Sequence, residues 1–202
     1  MKKPLKSYFS KDLLEAGCDE AGRGCLAGPV FAAAVILPKD FTSNIVDDSK
    51  KLTHKQRNSL RLVIQANALA WSVAIADAQE IDQINILNAS FVAMHLAIQS
   101  LCLKPELLLI DGNRFKEYQG IPHQCFVKGD GKFLSIAAAS VLAKTYRDDY
   151  MIEMDGKFPQ YDWKKNKGYP TKKHREGIAR FGATPLHRMS FNLLGQLKFD
   201  LQ

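Results

Sequence analysis

Apolar and polar positions fall into short blocks whose spacing alternates between strand-like and helix-like along the chain. Leu13 to Asp19 reads as a strand that ends at two adjacent acids, Asp19 and Glu20. Val30 to Leu37 is continuously apolar and is closed by Pro38, the pattern of a strand covered on both faces. Gly22, Gly24 and Gly28 lie between these runs and permit a tight connection, so the two strands are expected to pair as a hairpin. Thr53, with Gln56 three residues on, is a capping-box signature for a helix running to about Ala68. Trp71 to Ala76 reads as a third strand. Between Ile81 and Leu103 the apolar residues Ile84, Leu87, Phe91, Met94 and Ile98 recur every three or four positions, a helix closed by Pro105. Leu107 to Ile110 is a short buried strand delivering Asp111, and Gln124 to Val127 is another, followed by Lys128-Gly129-Asp130-Gly131. Ser135 to about Met154 is alanine-rich and helical. A loop then runs through Pro159 to Pro170, Thr171 caps a helix to Phe181, and 183–194 is a short closing helix or coil.

Three early strands close enough to pair antiparallel, then strands reached by helical crossovers, predict a mixed α/β sheet covered by helices. The 202 residues suit one domain, placed at 10–185, with a short closing appendage at 186–202. No apolar run reaches the roughly 18 residues of a membrane helix, and no apolar stretch follows the basic start, so no membrane association and a cytoplasmic location are expected. The four cysteines (Cys18, Cys25, Cys102, Cys125) lack metal-motif spacing and read as buried free thiols. His54, His95, His123, His174 and His187 are scattered, which argues against zinc and for solvent-facing or capping roles.

Charge changes this picture. The net charge of +7 suits a polyanionic partner, and its location is more informative than its size. Lys164, Lys165, Lys167, Lys172, Lys173 and Arg175 crowd a short stretch interleaved with Tyr161, Trp163 and Tyr169. Cations for phosphates, with aromatics for sugars or bases, make a nucleic-acid footprint.

Acids at the carboxyl ends of strands gather in one crevice of such a sheet. Asp19, Asp111 and Asp130 all stand at strand ends, where they make poor core residues and good ligands for hard divalent ions such as Mg²⁺ or Mn²⁺. Neighbouring side chains on a strand face opposite ways, so Glu20 would join Asp19 through a local bend or by its backbone carbonyl. The chemistry this favours is metal-assisted phosphoryl transfer; the alternative is a set of turn and capping residues.

The blocks CDEAGRGCLAGPV, DDSKKLT, LLIDGNRF, VKGDGKFLSIAAASVLAKTYRD, FPQYDWKKNKGYPTKKH and FGATPLHRMSF, in this order, resemble the ribonuclease HII family from about Leu14 to Phe191. The resemblance implies a ribonuclease H-like fold: a mixed five-stranded sheet flanked by helices, with a short C-terminal helical appendage. It implies an endonuclease acting on RNA–DNA hybrids and on duplex DNA containing ribonucleotides. The cut would lie 5′ to the ribonucleotide and leave 3′-OH and 5′-phosphate ends, a role in ribonucleotide removal. It further implies two ions, Mn²⁺ or Mg²⁺, held by Asp19, Glu20, Asp111 and Asp130. Gly22, Arg23 and Gly24 match the loop that reads the 2′-OH, and Tyr169 matches the tyrosine that stacks on the next deoxyribose. Ser49, Lys50, Lys51, Lys144 and Arg147 are expected near substrate phosphate or as organisers of the site. Asn113 and Arg114 are expected to orient Asp111, and the expected oligomeric state is a monomer. Two other readings compete: a binding module on the same fold, and a different metal-dependent phosphotransferase.

Overall fold

The computed structural model describes residues 4–42 and 53–195. Strands β1 (Glu15–Ala21) and β2 (Val30–Ile36) form the expected antiparallel pair, and β3 (Ala70–Ala76) joins β2 antiparallel after helix α1 (His54–Asn67). Helix α2 (Ala78–Gln99) leads to β4 (Leu107–Asp111) and β5 (His123–Phe126), and helices α3 (Leu134–Lys157), α4 (Trp163–Asn166) and α5 (Lys172–Phe181) follow. β4 runs parallel to β1 and β5 parallel to β4, giving a mixed sheet of order β3-β2-β1-β4-β5.

The unbroken apolar run of β2 is explained by its two covered faces. Ala32, Ala34 and Ile36 pack with Ile81, Ala93 and Ala97 of α2, whereas Ala33, Val35 and Leu37 pack with Leu60 and Ile64 of α1 and Ala138 and Val141 of α3. α2 is long and apolar enough to cross a membrane by composition alone, but these contacts make it the core helix of one sheet face.

Gly17 fixes how α3 meets the sheet. A Cβ there would stand 2.2 Å from the carbonyl carbon of Ser135 and 2.3 Å from the nitrogen of Ile136, so only a glycine lets the first turn of α3 lie on β1. One and two turns further along α3, that approach brings Ser140 and Lys144 level with the end of β1.

The element boundaries differ from expectation where side chains intervene. β1 extends through both acids instead of stopping at Asp19. The helix expected from Ile81 starts at Ala78, capped by Asp77, and ends at Gln99. It is interrupted at Asn85 (φ 66°), whose side-chain oxygen accepts the amides of Leu87 and Asn88 and restarts the helix. Thr53 and Gln56 form the expected capping box on α1, and Thr171 caps α5.

The expected C-terminal helical appendage is absent from the described residues, where no helix follows α5. Its backbone is used elsewhere: the Arg188 amide donates to the Leu26 carbonyl, and the Leu186 carbonyl accepts from Gly28. Asp82 of α2 accepts the amides of Met189 and Ser190 at 2.8 and 2.9 Å. This segment is thereby stitched to the loop after β1 and to α2.

Candidate active site

The last residues of β1, the end of β4 and the flank of α3 enclose a cleft of about 480 Å³. Asp19, Glu20 and Asp111 line it together, with Gly22, Arg23 and Gly24 on one side and Ser140, Lys144 and Tyr169 on the other. Parallel pairing of β1 with β4 accounts for this meeting, because it carries both strands' carboxyl ends to the same edge of the sheet.

Each acid is oriented by a protein donor. Asp19 Oδ1 accepts the Glu20 amide at 2.7 Å, Glu20 Oε1 accepts from Arg23 Nη1 at 3.1 Å, and Asp111 Oδ1 accepts the Gly129 amide at 2.7 Å. Burial, then the charges of Glu20 and Asp111, push the Asp19 carboxyl well above its usual range, against hydrogen bonds from Ser140 and the Glu20 amide. The Glu20 carboxyl is also raised, mainly by burial, with Arg23 opposing and Asp111 adding to the shift. A cluster of three carboxylates, with no cysteine or histidine beside it in the cleft, has the chemistry of a site for a hard divalent cation. Among the described residues no three acid, cysteine or histidine side chains are grouped so that they could hold a metal ion as they stand.

Asp130 is placed differently. It rides on the turn Gly129–Gly131, whose first amide holds Asp111, and it is not among the residues lining the cleft. Asn113 and Arg114 border a smaller recess that also touches Glu20 and Asp111. Ser49, Lys50 and Lys51 lie outside the described residues.

Two arginines brace the loop between β1 and β2, and both are fully buried. Arg147, expected near phosphate or as an organiser of the site, donates to the carbonyls of Pro29, Ala27 and Lys167 at 3.0, 3.0 and 2.8 Å. A Cβ on Gly22 (φ 96°) would lie 2.0 Å from Arg147 Nε, so glycine is required there for conformation and for space. Arg188 donates to the Gly28 carbonyl through Nε and Nη2 and to the Arg23 carbonyl through Nη1. Burial, then Arg147, lowers its pKa to about 10. Five of these six bonds hold carbonyls between Arg23 and Pro29, and the sixth ties that loop, through Arg147, to Lys167 in the segment preceding Tyr169.

That segment is itself held from within. The Asn166 carbonyl accepts the Tyr169 amide at 2.9 Å, and the Gly168 carbonyl accepts from Leu26 at 2.8 Å. Tyr169 remains 41% exposed, with the Lys144 ammonium 5.8 Å from its ring centre. Tyr161 and Trp163, expected to stack on nucleic acid, are instead buried and stacked on each other at 5.1 Å. Tyr169 is therefore the aromatic of the three that faces the cleft.

His174 and His187 are buried as well, against the expectation of solvent-facing or capping roles. Thr184 donates its amide to His187 Nδ1, which leaves the His187 proton on Nε2, facing His174 Nε2 at 3.2 Å. Trp163 Nε1 donates to the same His174 nitrogen, and His174 Nδ1 donates to the Tyr169 carbonyl at 2.9 Å. Both rings are needed neutral, and burial followed by His174 lowers His187 from 6.5 to about 4. The unfolded chain protonates this histidine near 6.5 and the folded chain resists until about 4. Its stabilising contribution is thus complete above 6.5 and is lost as the pH falls to about 4, roughly 3 kcal/mol in all. Asp19 and Glu20 act with the opposite sign. The check is denaturant midpoints from pH 7.5 to 4.5: the gap between wild type and His187→Asn should narrow by about that amount as the pH falls.

The four cysteines are free: Cys18 and Cys25 are buried as expected, but Cys102 is exposed and Cys125 only partly covered.

A mixed sheet with acids gathered at the ends of two parallel strands, opening on a cation-lined cleft, defines a ribonuclease H-like nuclease. A family model described as ribonuclease HII matches residues 16–194, and the chain belongs to that family. A ribonuclease HII of Bacteroides thetaiotaomicron is 64% identical over 197 residues, covering 98% of each chain. The ribonuclease HII of a PCNA complex from Archaeoglobus fulgidus superposes with a TM-score of 0.74 at 27% identity, covering 88% of this chain and 94% of that one. The ribonuclease H2 of Pyrococcus horikoshii matches with the same score at 24% identity, covering 89% and 94%. Family membership makes this chain a ribonuclease H, a metal-dependent nuclease that acts on the RNA strand of RNA–DNA hybrids.

Proposed function

We propose that this enzyme reads the step from a ribose to a following deoxyribose and cuts the strand on the 5′ side of the ribonucleotide. The observation that carries this reading is the placement of three carboxylates between two braced elements of different chemistry: the Gly22–Gly24 loop and the Tyr169 ring. The 2′-OH is the group that separates RNA from DNA, and backbone atoms at glycines can approach it without side-chain obstruction. A tyrosine ring packed on the next sugar gains contact with a deoxyribose, whereas an added hydroxyl there would hold the two apart. Readout of this kind uses sugars and leaves base identity free.

Asp19, Glu20 and Asp111 would hold divalent metal, with Asp130 approaching from its turn beside Asp111. Two ions, Mg²⁺ or Mn²⁺, would supply activation of the attacking water and stabilisation of the leaving oxygen when bound with substrate. The protein's own part is positional. Arg23 holds Glu20 and lies where it can meet an adjacent phosphate, Ser140 steadies Asp19, and Lys144 offers a cation between the acids and Tyr169. The products would carry 3′-OH and 5′-phosphate ends. A binding module is disfavoured, since three carboxylates facing the strand would repel a nucleic acid unless metal neutralised them.

The substrate class is tested by incubating the protein with a continuous RNA–DNA hybrid and the matching DNA duplex, in Mg²⁺, in Mn²⁺ and with a chelator. Cleavage of the RNA strand alone, and only with metal, supports the reading. Equal cutting of both duplexes would favour the general phosphotransferase.

A further inference from the structure

We infer that the basic cleft beyond Tyr169 is a phosphate subsite for the cleaved strand on the 3′ side of the ribonucleotide; this rests on the junction reading proposed above. The cleft measures about 500 Å³, and Arg57, Lys144, Lys164, Lys165 and Lys167 surround it with a single carboxylate, Asp148. Asp148 is only 2% exposed and already bridges two of these cations, Lys144 at 2.5 Å and Arg57 at 3.2 Å. Among the described residues no carboxylate pairs with Lys164 or Lys165, and both are exposed. An excess of cations around a concave surface attracts a polyanion, and ammonium groups suit phosphate as point charges.

The cleft is continuous with the catalytic one. Arg57, Lys144 and Tyr169 border both. A strand with its ribose at Gly22–Gly24 and its next sugar on Tyr169 therefore leaves the acids in the direction of Lys164 and Lys165, which is the 3′ direction. The platform carrying these lysines is braced. Trp163 and Asn166 are buried beneath it, the Lys167 carbonyl is held by Arg147 at 2.8 Å, and the Lys167 ammonium is tethered to the Lys164 carbonyl. Sequence-independent backbone contact at this point would complement a sugar readout that ignores bases.

The test uses a duplex with one ribonucleotide in which single methylphosphonate linkages, each removing one charge, replace phosphates in turn on either side of the junction. It compares the wild-type protein with the Lys164→Ala/Lys165→Ala variant. For wild type, a neutral linkage one or two positions beyond the stacked deoxyribose should raise KM more than one on the 5′ side. The variant should raise KM about tenfold on the fully charged duplex, with little change in kcat. Its log–log salt dependence should be shallower by about 1 per lysine. The variant should also be indifferent to the 3′ methylphosphonate, since a double-mutant cycle shows non-additivity where two groups touch. Independent, multiplying effects of variant and linkage would overturn the proposal, as would sensitivity confined to the 5′ side or the complementary strand. If wild type leaves the junction duplex uncut, the junction reading fails and the subsite falls with it. An unchanged unfolding midpoint confirms that the variant is folded.

Discussion

Asp19→Asn is expected to abolish cleavage and, in the metal-free protein, to raise the melting temperature. Both effects have one cause. Asp19 is buried, and its ionised form is disfavoured by that burial and by the charges of Glu20 and Asp111. Folding therefore works against this carboxylate, and an uncharged amide of the same shape relieves the strain. The gain should be about 1–2 kcal/mol, or roughly 2–8 °C for a domain of this size. The same substitution removes a charged ligand from the proposed metal site, whose contribution to the transition state would be worth several kcal/mol, so activity should fall at least about a thousandfold. Thermal melts in chelator and single-turnover cleavage with Mg²⁺ or Mn²⁺ measure the two halves separately. A variant that melts lower than wild type would contradict the electrostatic account of the cluster. One that still cuts within about tenfold of wild type would remove Asp19 from the metal site.

The second large effect is expected at Tyr169. Its ring is partly exposed at the boundary of the catalytic cleft, and its backbone is fixed by Asn166 and His174. Truncation to alanine should leave the fold intact and remove the stacking surface. Stacking on an aromatic ring is worth about 1–3 kcal/mol, so kcat/KM on a single-ribonucleotide duplex should drop roughly 10- to 100-fold. On a continuous hybrid, where the next sugar carries a hydroxyl, the loss should be smaller. Tyr169→Phe keeps the ring and should stay near wild type on both. Parallel kinetics on the two substrates decide the matter: an equal loss on both would make Tyr169 a structural residue with no part in reading the junction.

Much of this site could be read from the chain before its structure. Asp19 and Asp111 follow apolar runs too short to be helices, so their place at strand ends follows from local pattern. Thr53 with Gln56, and Thr171 ahead of α5, are local hydrogen-bond signals that need no distant partner. The residues that escaped reading depend on distant partners. Nothing near Arg188 marks it as buried; its acceptors, the carbonyls of Arg23 and Gly28, lie 165 and 160 positions away. Local pattern marks Arg147 as an organiser, but its three carbonyl partners lie too far along the chain for the same pattern to show them. Tyr161 and Trp163 resembled a stacking platform because interleaved lysines and aromatics look alike whether the rings face in or out. The kink at Asn85 was masked by a regular apolar period. Glu20 illustrates the opposite case: strand alternation argued against its joining Asp19, yet both line the cleft together with Asp111.

The central claim is that the carboxylates stand where they do in order to work on a ribose presented by Gly22, Arg23 and Gly24. The most direct test is to map, at nucleotide resolution, the products from a DNA duplex containing one ribonucleotide, with Mg²⁺ or Mn²⁺ present. The account predicts a single cut on the 5′ side of the ribonucleotide and none in chelator. An intact junction duplex in both metals, under conditions where a continuous hybrid is cut, would contradict it.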